Sequence, residues 1–445
     1  MTDYLKPVVM DLINCDERQK AWDLIDFYLS HAKSLADYDV LGYLALKADK
    51  RDTYLHCAQA SYAIAKTPHE RYNTRINLYK AYNMMNYPEK ALEYVEQNLS
   101  INPDDFDALC QKASNISLMG DKETAENLIF EIMDRFPGKK YDLESMLCGK
   151  YLREGNLVKG MNAFLGKYKG KGVFEKTLNM KMWDGVIRPG TTLYVDGEGG
   201  IGDEIINIRF FDLLKGYGMR PVLYSLGKYR KDTDALFRRH GYEIVNDIYS
   251  INPRCQWTPL MSLPTNLDLT EDDLWKAPYL FPLRDEKNRI DSTRFKIGIK
   301  CSGNPYFAQD EYRKIPLETM LQYLPEEADI YYIDKEKINH PQVIDLSSRI
   351  NSWEDTIDLI DQMDCIVSSC TSLVHAAGAI GKTTFVAVPI AEYYIWTTSK
   401  RGHESPWYGN NFHVMRQTKL RDWHKPLSEI NEHLTKLMME HNRED

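Results

Sequence analysis

Three stretches of this 445-residue chain carry residue types that could do chemistry together. The first is Gly197-Glu198-Gly199-Gly200-Ile201-Gly202-Asp203, between the apolar run TTLYVDG and the helical pattern IGDEIINIRFFDLLKGYG. Its glycines allow a tight turn and close approach of a ligand to backbone N–H groups at a helix start. Asp203 and Glu204 open that helix, where the dipole favours an ionised carboxylate. Such a carboxylate beside a glycine-lined loop suits a general base for a hydroxyl group. The competing reading is a plain N-terminal cap, a common job for Asp at this position.

The second stretch, DCIVSSCTSLVHAAGAIG at 364–381, reads as strand, polar turn and helix. Thr371 and Ser372 stand at the helix start, where hydroxyls and N–H groups can face an anion. Ordinary Ser/Thr capping is the alternative. Ala376, Ala377, Gly378 and Ala379 keep the helix slim, and His375 lies one turn in, where it can bind or simply pack. The third stretch, Arg313-Lys314-Ile315-Pro316, follows the run FKIGIKCSG and a polar loop. Its two cations could neutralise a departing diphosphate, a task that other enzymes give to a divalent metal. No paired-aspartate metal motif stands at a strand end, and Asp272-Asp273 reads as a helix start. Cys365, Cys370 and His375 lack a fourth ligand and zinc spacing, so no metal is expected.

Gly197, Gly199 and Gly202 also satisfy the dinucleotide fingerprint GxGxxG. That reading needs an acid near the end of the next strand to hold a ribose. The strand there is Pro221–Ser225, followed by Leu226, Gly227 and Lys228, with no acid. A nicotinamide-dependent dehydrogenase is therefore disfavoured.

The elements that must position these residues change character along the chain. The first ~165 residues read as all-helical with a 34-residue period, as expected of stacked helical repeats. Ala91 and Pro103 recur as Ala125 and Pro137, and the turn residue Asn86 recurs as Gly120. Later, short apolar runs (TTLYVDG, PVLYS, FKIGIKCSG, ADIYYIDK, DCIVSS, TFVAVP) alternate with helical stretches, the pattern of parallel α/β sheets. The expected organisation is a helical repeat domain over 1–180, one Rossmann-like lobe over 186–285, a second over 293–425, and an amphipathic helix over 426–445. The stretch at 278–285 reads as the connection between the lobes.

Composition sets bounds. Hydrophobic residues are 43% and charged residues 27%, an ordinary globular mix with material for sizeable cores. The net charge of −9 argues against a broad nucleic-acid grip, although not against a local basic groove. The N-terminal residues carry acids and no apolar run, unlike a signal peptide. No segment reaches the ~20 apolar residues that span a bilayer. Eight scattered Cys suit reduced thiols, so a cytoplasmic protein is expected.

Taken in order, Trp183-Asp184-Gly185, GEGGIGDEI, GIKCSGNPYFAQDEYRKIPLE, the segment from DLSSRINSWEDT to AIGKTTFVAVP, and SPWY resemble the bacterial tetratricopeptide-repeat glycosyltransferases. More distantly they are similar to the ADP-heptose:lipopolysaccharide heptosyltransferases and the O-linked N-acetylglucosamine transferases. The resemblance implies a tetratricopeptide-like array followed by a two-lobed GT-B domain, with the acceptor on the first lobe and the sugar nucleotide on the second. It implies an inverting, metal-independent transfer without a cofactor, from a nucleotide-diphosphate sugar to a hydroxyl acceptor. The family's catalytic Asp falls on Asp203, beside Gly199, Gly200 and Gly202. Its donor-binding residues fall on Arg313, Lys314, Thr371, Ser372, His375 and Gly378. Cys370 stands where the family usually has Asp.

The acceptor is less defined. Basic residues interleaved with aromatics at Lys167–Lys181, and at Lys228, Arg230, Lys231, Arg238 and Arg239, could hold a polyanion or form solvated faces. A protein or peptide, a glycan, and a hydroxylated base in modified viral DNA remain open, with partner proteins or self-association through the repeats. A non-catalytic repeat scaffold with a degenerate transferase fold is the other class.

Overall fold

The computed structural model describes residues 2–15, 17–166, 178–225, 231–305, 307, 309–400 and 402–444. The chain divides into two compact units, Met1–Lys139 with Asn304–Tyr312, and Lys140–Gly303 with Arg313–Asp445.

Among its described residues the first unit runs through eight successive helices: Thr2–Asn14, Arg18–Leu29, Leu35–Lys47, Arg51–Ile64, Pro68–Met84, Pro88–Leu99, Phe106–Leu118 and Lys122–Arg135. From Leu35–Lys47 onward each helix packs on the next. Local chemistry sets their starts. Ser34 with Asp37 and Thr67 with Glu70 form reciprocal caps, Asp105 and Asp121 cap with their side chains, and Pro68 and Pro88 occupy the first turn. The turns are tight: Asp49, Asn86 and Gly120 all have positive φ (56°, 60° and 103°). Asn and Gly tolerate that conformation best, which is why they recur there. Ala91 and Ala125 are buried at the helix contacts. The segment Asn304–Tyr312 is held to this unit by Arg51, which donates to the carbonyls of Pro305 (2.7 Å) and Phe307 (2.8 Å). Asn86 donates to the Glu311 carbonyl (3.0 Å), and Tyr312 donates to the Asn83 carbonyl (3.0 Å).

The second unit contains two wholly parallel sheets. The first is built from β1 (Lys181–Met182), β2 (Thr192–Asp196), β3 (Arg220–Tyr224), β4 (Glu243–Val245) and β5 (Gln256–Pro259), in the order β1-β5-β2-β3-β4. The second uses β6 (Lys296–Lys300), β7 (Asp329–Tyr332), β8 (Ile344–Asp345), β9 (Cys365–Ser369), β10 (Thr384–Val388) and β11 (Phe412–Arg416), in the order β11-β10-β9-β6-β7-β8. Strand side chains alternate between the two faces. Leu193 and Val195 of β2, with Ile366 of β9 and Val386 of β10, share one large apolar cluster, so the two sheets are joined by a continuous core. Tyr194 points to a smaller cluster with Trp257, while Cys365, Val367 and Phe385 face a third. The C-terminal helix His424–Glu444 covers this last face with Leu427, Ile430 and Leu434.

Two expectations needed correction. The stretch from Ile201 to Gly218 is not one helix but two, α1 (Ile201–Asn207) and α2 (Phe210–Gly216). The break follows from Arg209, whose Nε donates to the Ile206 carbonyl (2.7 Å) and withdraws it from the helical ladder. The helices from Lys140 to Gly166 belong to the second unit rather than the first, because Leu152, Leu157, Met161 and Leu165 join the large core between the sheets.

The connection at 278–285 is tightly held. Tyr279 and Leu280 donate to the Ala379 carbonyl (3.0 and 3.3 Å). The buried Asp358 carboxylate accepts the backbone N–H groups of Leu283, Arg284 and Asp285 at 2.7–2.9 Å. No helix among the described residues is long and apolar enough to cross a membrane.

Candidate functional site

In open parallel sheets ligands bind beyond the carboxyl ends of the strands where the chain reverses its direction of travel across the sheet. In the first sheet that point lies between β2 and β5, and in the second between β6 and β9. The loop at 197–202 leaves the end of β2, and Cys370-Thr371 leaves the end of β9. Local sequence and sheet topology thus select the same two loops independently.

The two loops meet. A β-carbon on Gly202 would stand 2.7 Å from Cδ2 of His375 and 3.5 Å from the Ser372 Cα. Helix α1 therefore lies directly against helix α3 (Ser372–Ala379). Gly199 has φ +81°, and a β-carbon there would stand 2.6 Å from Oδ2 of Asp203, so glycine is required on both counts. Gly199 and Gly200 are exposed and leave this side of the loop open.

Asp203 sits deep among protein atoms yet keeps partial solvent access. The Gly200 N–H donates to its Oδ2 (2.8 Å), while the hydroxyls of Tyr393 (3.0 Å) and Tyr394 (2.8 Å) both donate to Oδ1. Burial pushes its pKa up. The Gly200 N–H, the two phenols and the charge of Arg313 pull in the other direction. The capping role weighed from sequence is therefore present, and it leaves one carboxylate oxygen to the tyrosines.

On the opposite side, Thr371 is the N-cap of α3, but its hydroxyl makes no cap bond. That hydroxyl is buried 3.4 Å from the Ser368 hydroxyl. Ser369, at the end of β9, is fully buried, and its hydroxyl has no hydrogen-bond partner among the described residues. Ser372 is the half-buried first residue of the helix. Arg313 reaches this turn, donating from Nη1 to the Cys370 carbonyl (2.8 Å), and its guanidinium lies over Gly303. The bond uses the backbone of residue 370, so a Cys side chain there does not disturb it. Helix start, hydroxyls and guanidinium thus stand together beside Asp203, a grouping of the kind that suits an anion.

His375 is packed rather than presented. It stacks on Trp396 (5.2 Å between centroids, 7° between planes), and its Nδ1 bonds the Tyr408 hydroxyl (2.7 Å). Burial first, then the charges of Arg209 and Arg313, push its pKa down to about 3. Below its ordinary value near 6.5 the unfolded chain takes up a proton that the folded chain refuses. The stability tied to neutral His375 is therefore complete above pH 6.5 and is lost as pH falls toward 3, by up to about 1.4 kcal/mol per pH unit. His375→Asn is expected to flatten the fall in denaturation midpoint between about pH 6 and 4. A pH profile equal to the wild type would refute this assignment.

Other expected site residues are placed elsewhere. Lys314 is exposed, and Arg313 is the cation whose charge reaches Asp203 and His375. Gly378 lies in the last turn of α3, away from its start; a β-carbon there would meet the Tyr408 ring at 2.4 Å, so this glycine makes room for packing. Arg238 donates to the Ile244 carbonyl (2.9 Å), and Arg239 is ion-paired with Glu354 (2.8 Å). Arg239 is thus paired with a carboxylate, while Arg238 is exposed and, among the described residues, bonds only a neutral carbonyl. Lys228, Arg230 and most of the basic stretch at 167–181 lie outside the described residues, as does the side chain of Lys231. Asp273 caps Thr270, and Asp272 pairs with Lys400 (2.6 Å), as suits a helix start. Among the described residues no cluster of His, Cys, Asp or Glu could hold a metal ion.

Sequence reasoning missed Tyr393, Tyr394 and Arg209. Arg209 is buried, donates to the carbonyls of Leu274 and Trp407 and to the Tyr279 hydroxyl, and lies over the rings of Tyr279, Trp275 and Tyr408. The aromatic run Tyr393-Tyr394-Ile395-Trp396 was the available signal, since tyrosines near a loop carry both apolar area and a hydroxyl.

No family model and no curated protein matches this chain. Among solved structures it is similar to the ADP-heptose lps heptosyltransferase II of E. coli, at 13% identity and a TM-score of 0.36, over 56% of this chain and 99% of that one. It is similar to the iron-containing dodecameric glycosyltransferase TibC of enterotoxigenic E. coli, at 10% identity and a TM-score of 0.37, over 60% of this chain and 78% of that one. It is also similar to a mutant O-GlcNAc transferase of Thermobaculum terrenum, at 11% identity and a TM-score of 0.34, over 92% of this chain and 94% of that one.

Proposed function

We propose that this chain is an inverting, metal-independent glycosyltransferase of GT-B architecture, moving a sugar from a nucleotide-diphosphate sugar to a hydroxyl acceptor. One observation carries the reading: the loops at the two switch points touch, through Gly202 against His375 and Ser372, and so bring a carboxylate and an anion-binding helix start into one site.

In this mechanism the diphosphate rests on the start of α3, with Thr371, Ser372 and the first-turn N–H groups around it. Arg313 takes up negative charge as the bond between the anomeric carbon and the phosphate oxygen breaks. Asp203 removes the proton of the acceptor hydroxyl, whose oxygen attacks the opposite face of the anomeric carbon. Attack on that face inverts the anomeric configuration. We read the first unit as a tetratricopeptide-like array. Its support is the 34-residue recurrence of left-handed turns at Asn86 and Gly120 and of buried alanines at Ala91 and Ala125. Such an array favours a protein or peptide acceptor over a glycan or modified DNA. The ion pair of Arg239 with Glu354 removes one charge from the basic face that DNA would need.

A thermal-shift screen against a panel of nucleotide sugars tests the class, since a ligand that binds only the folded state raises the melting temperature. A folded protein that responds to none of them supports the scaffold reading instead. With a responding donor, Arg313→Ala should weaken binding by about tenfold or more, the worth of a charge-assisted bond to phosphate. Gly303→Ala should act in the same direction with little loss of stability. A β-carbon there would stand 2.0 Å from the Arg313 guanidinium, a flexible group that moves aside. Unchanged donor affinity in both variants, by calorimetry, would remove Arg313 from the site.

A further inference from the structure

Asp203 is engaged on nearly every side. A carboxylate offers about four lone-pair sites in its plane. The Tyr393 and Tyr394 hydroxyls take both sites of Oδ1, and the Gly200 N–H takes one of Oδ2. Among the described residues the fourth site, on Oδ2, has no donor. Oδ2 lies against Gly199 and Gly200, both exposed and without side chains.

The tyrosines are themselves held. Tyr394 is buried, with Phe164 4.7 Å from its ring and Trp407 6.1 Å away. Tyr393 packs 4.8 Å from Tyr394 and 6.1 Å from Phe164. Their rings are thus fixed in place by apolar contacts, and the Tyr394 hydroxyl also lies 3.6 Å from Sδ of Met261.

Resting on the base reading above, we infer that Tyr393 and Tyr394 are positioning residues. They fill Oδ1 of Asp203 and leave Oδ2, on the Gly199–Gly200 side, as the oxygen that receives the acceptor proton. Two phenols on one oxygen fix the plane of the carboxylate and favour its ionised form. The other groups facing it are Arg313, which supports the charge, and Tyr408, with neutral His375 behind the loop. The acceptor hydroxyl then enters over these two exposed glycines, which themselves carry no side chain.

Isotope-edited infrared titration of the whole chain tests the first part without any substrate. Asp203→Asn identifies the Asp203 carboxyl band. Tyr394→Phe and, separately, Tyr393→Phe should each move its protonation to higher pH, by about one unit, because a donor to the charged form is lost. Tyr393 is only half-buried, so its variant keeps the test alive should Tyr394→Phe misfold. Protonation at the wild-type pH in both variants overturns the positioning role. Gly200→Ala tests the second part. Its backbone (φ −97°, ψ 176°) suits alanine, and the new β-carbon would lie 3.7 Å from Oδ2, an ordinary contact. Turnover should fall at least tenfold with nucleotide binding intact, and full turnover overturns the Oδ2 assignment. If the infrared band moves while the acid limb of turnover stays put, the base reading fails and the positioning of Asp203 by the tyrosines stands.

Discussion

Asp203→Asn is expected to lower the rate of sugar transfer by about 10²- to 10⁴-fold, the usual worth of a positioned general base. Nucleotide binding should persist, because the proposed mechanism gives the diphosphate to Thr371 and Ser372 after β9 and to Arg313, not to the Asp203 loop. The amide oxygen can still accept the Tyr393 and Tyr394 hydroxyls, but its NH₂ group then faces the Gly200 N–H, two donors opposed. The loss of that cap should cost about 1 kcal/mol of stability. Single-turnover measurements with a bound donor separate the two effects. Wild-type turnover in this variant would sink the base assignment, whereas loss of nucleotide binding would place Asp203 in donor recognition instead.

Gly202→Val is expected to damage everything at once. The new β-carbon would stand 2.7 Å from His375, and that ring cannot yield. It is 6% exposed, stacked on Trp396 and bonded to Tyr408. Helices α1 and α3 must separate, at an overpacking cost of about 1–3 kcal/mol. Because Asp203 and Ser372 ride on these two helices, separation should reduce both donor affinity and turnover. Gly216→Ala is the matched control, since nothing lies within 4 Å of a β-carbon at that position. Denaturant unfolding and donor titration on both variants check the contrast. A fully active, fully stable Gly202→Val would mean that the two loops need not touch.

Local chemistry made much of the site legible. The glycines at 199, 200 and 202 announced a tight turn, and at 199 and 202 the structure shows the contacts that forbid larger residues. Thr371 and Ser372 announced a helix start. The apolar runs of β2, β3, β6, β7, β9 and β10 were readable because buried parallel strands are nearly continuous stretches of β-branched and aromatic residues. Short strands such as β4 and β8 were not, being two or three residues long with no period to detect.

What sequence alone determined about this protein is therefore its local grammar: a repeating helical part, an alternating part, and two loops with the right residues for a carboxylate and an anion. Backbone propensity, capping and glycine tolerance act over a few residues, so they can be read in a few residues. Tertiary structure decided the rest. Tyr393 and Tyr394 meet Asp203 across some 190 positions of chain. Arg239 turned out to be spent on Glu354, and the helices after Lys139 joined the core between the sheets. Sheet order placed both loops at switch points. Each of these depends on which distant side chains the fold brings within hydrogen-bond or van der Waals reach, and no local pattern records that.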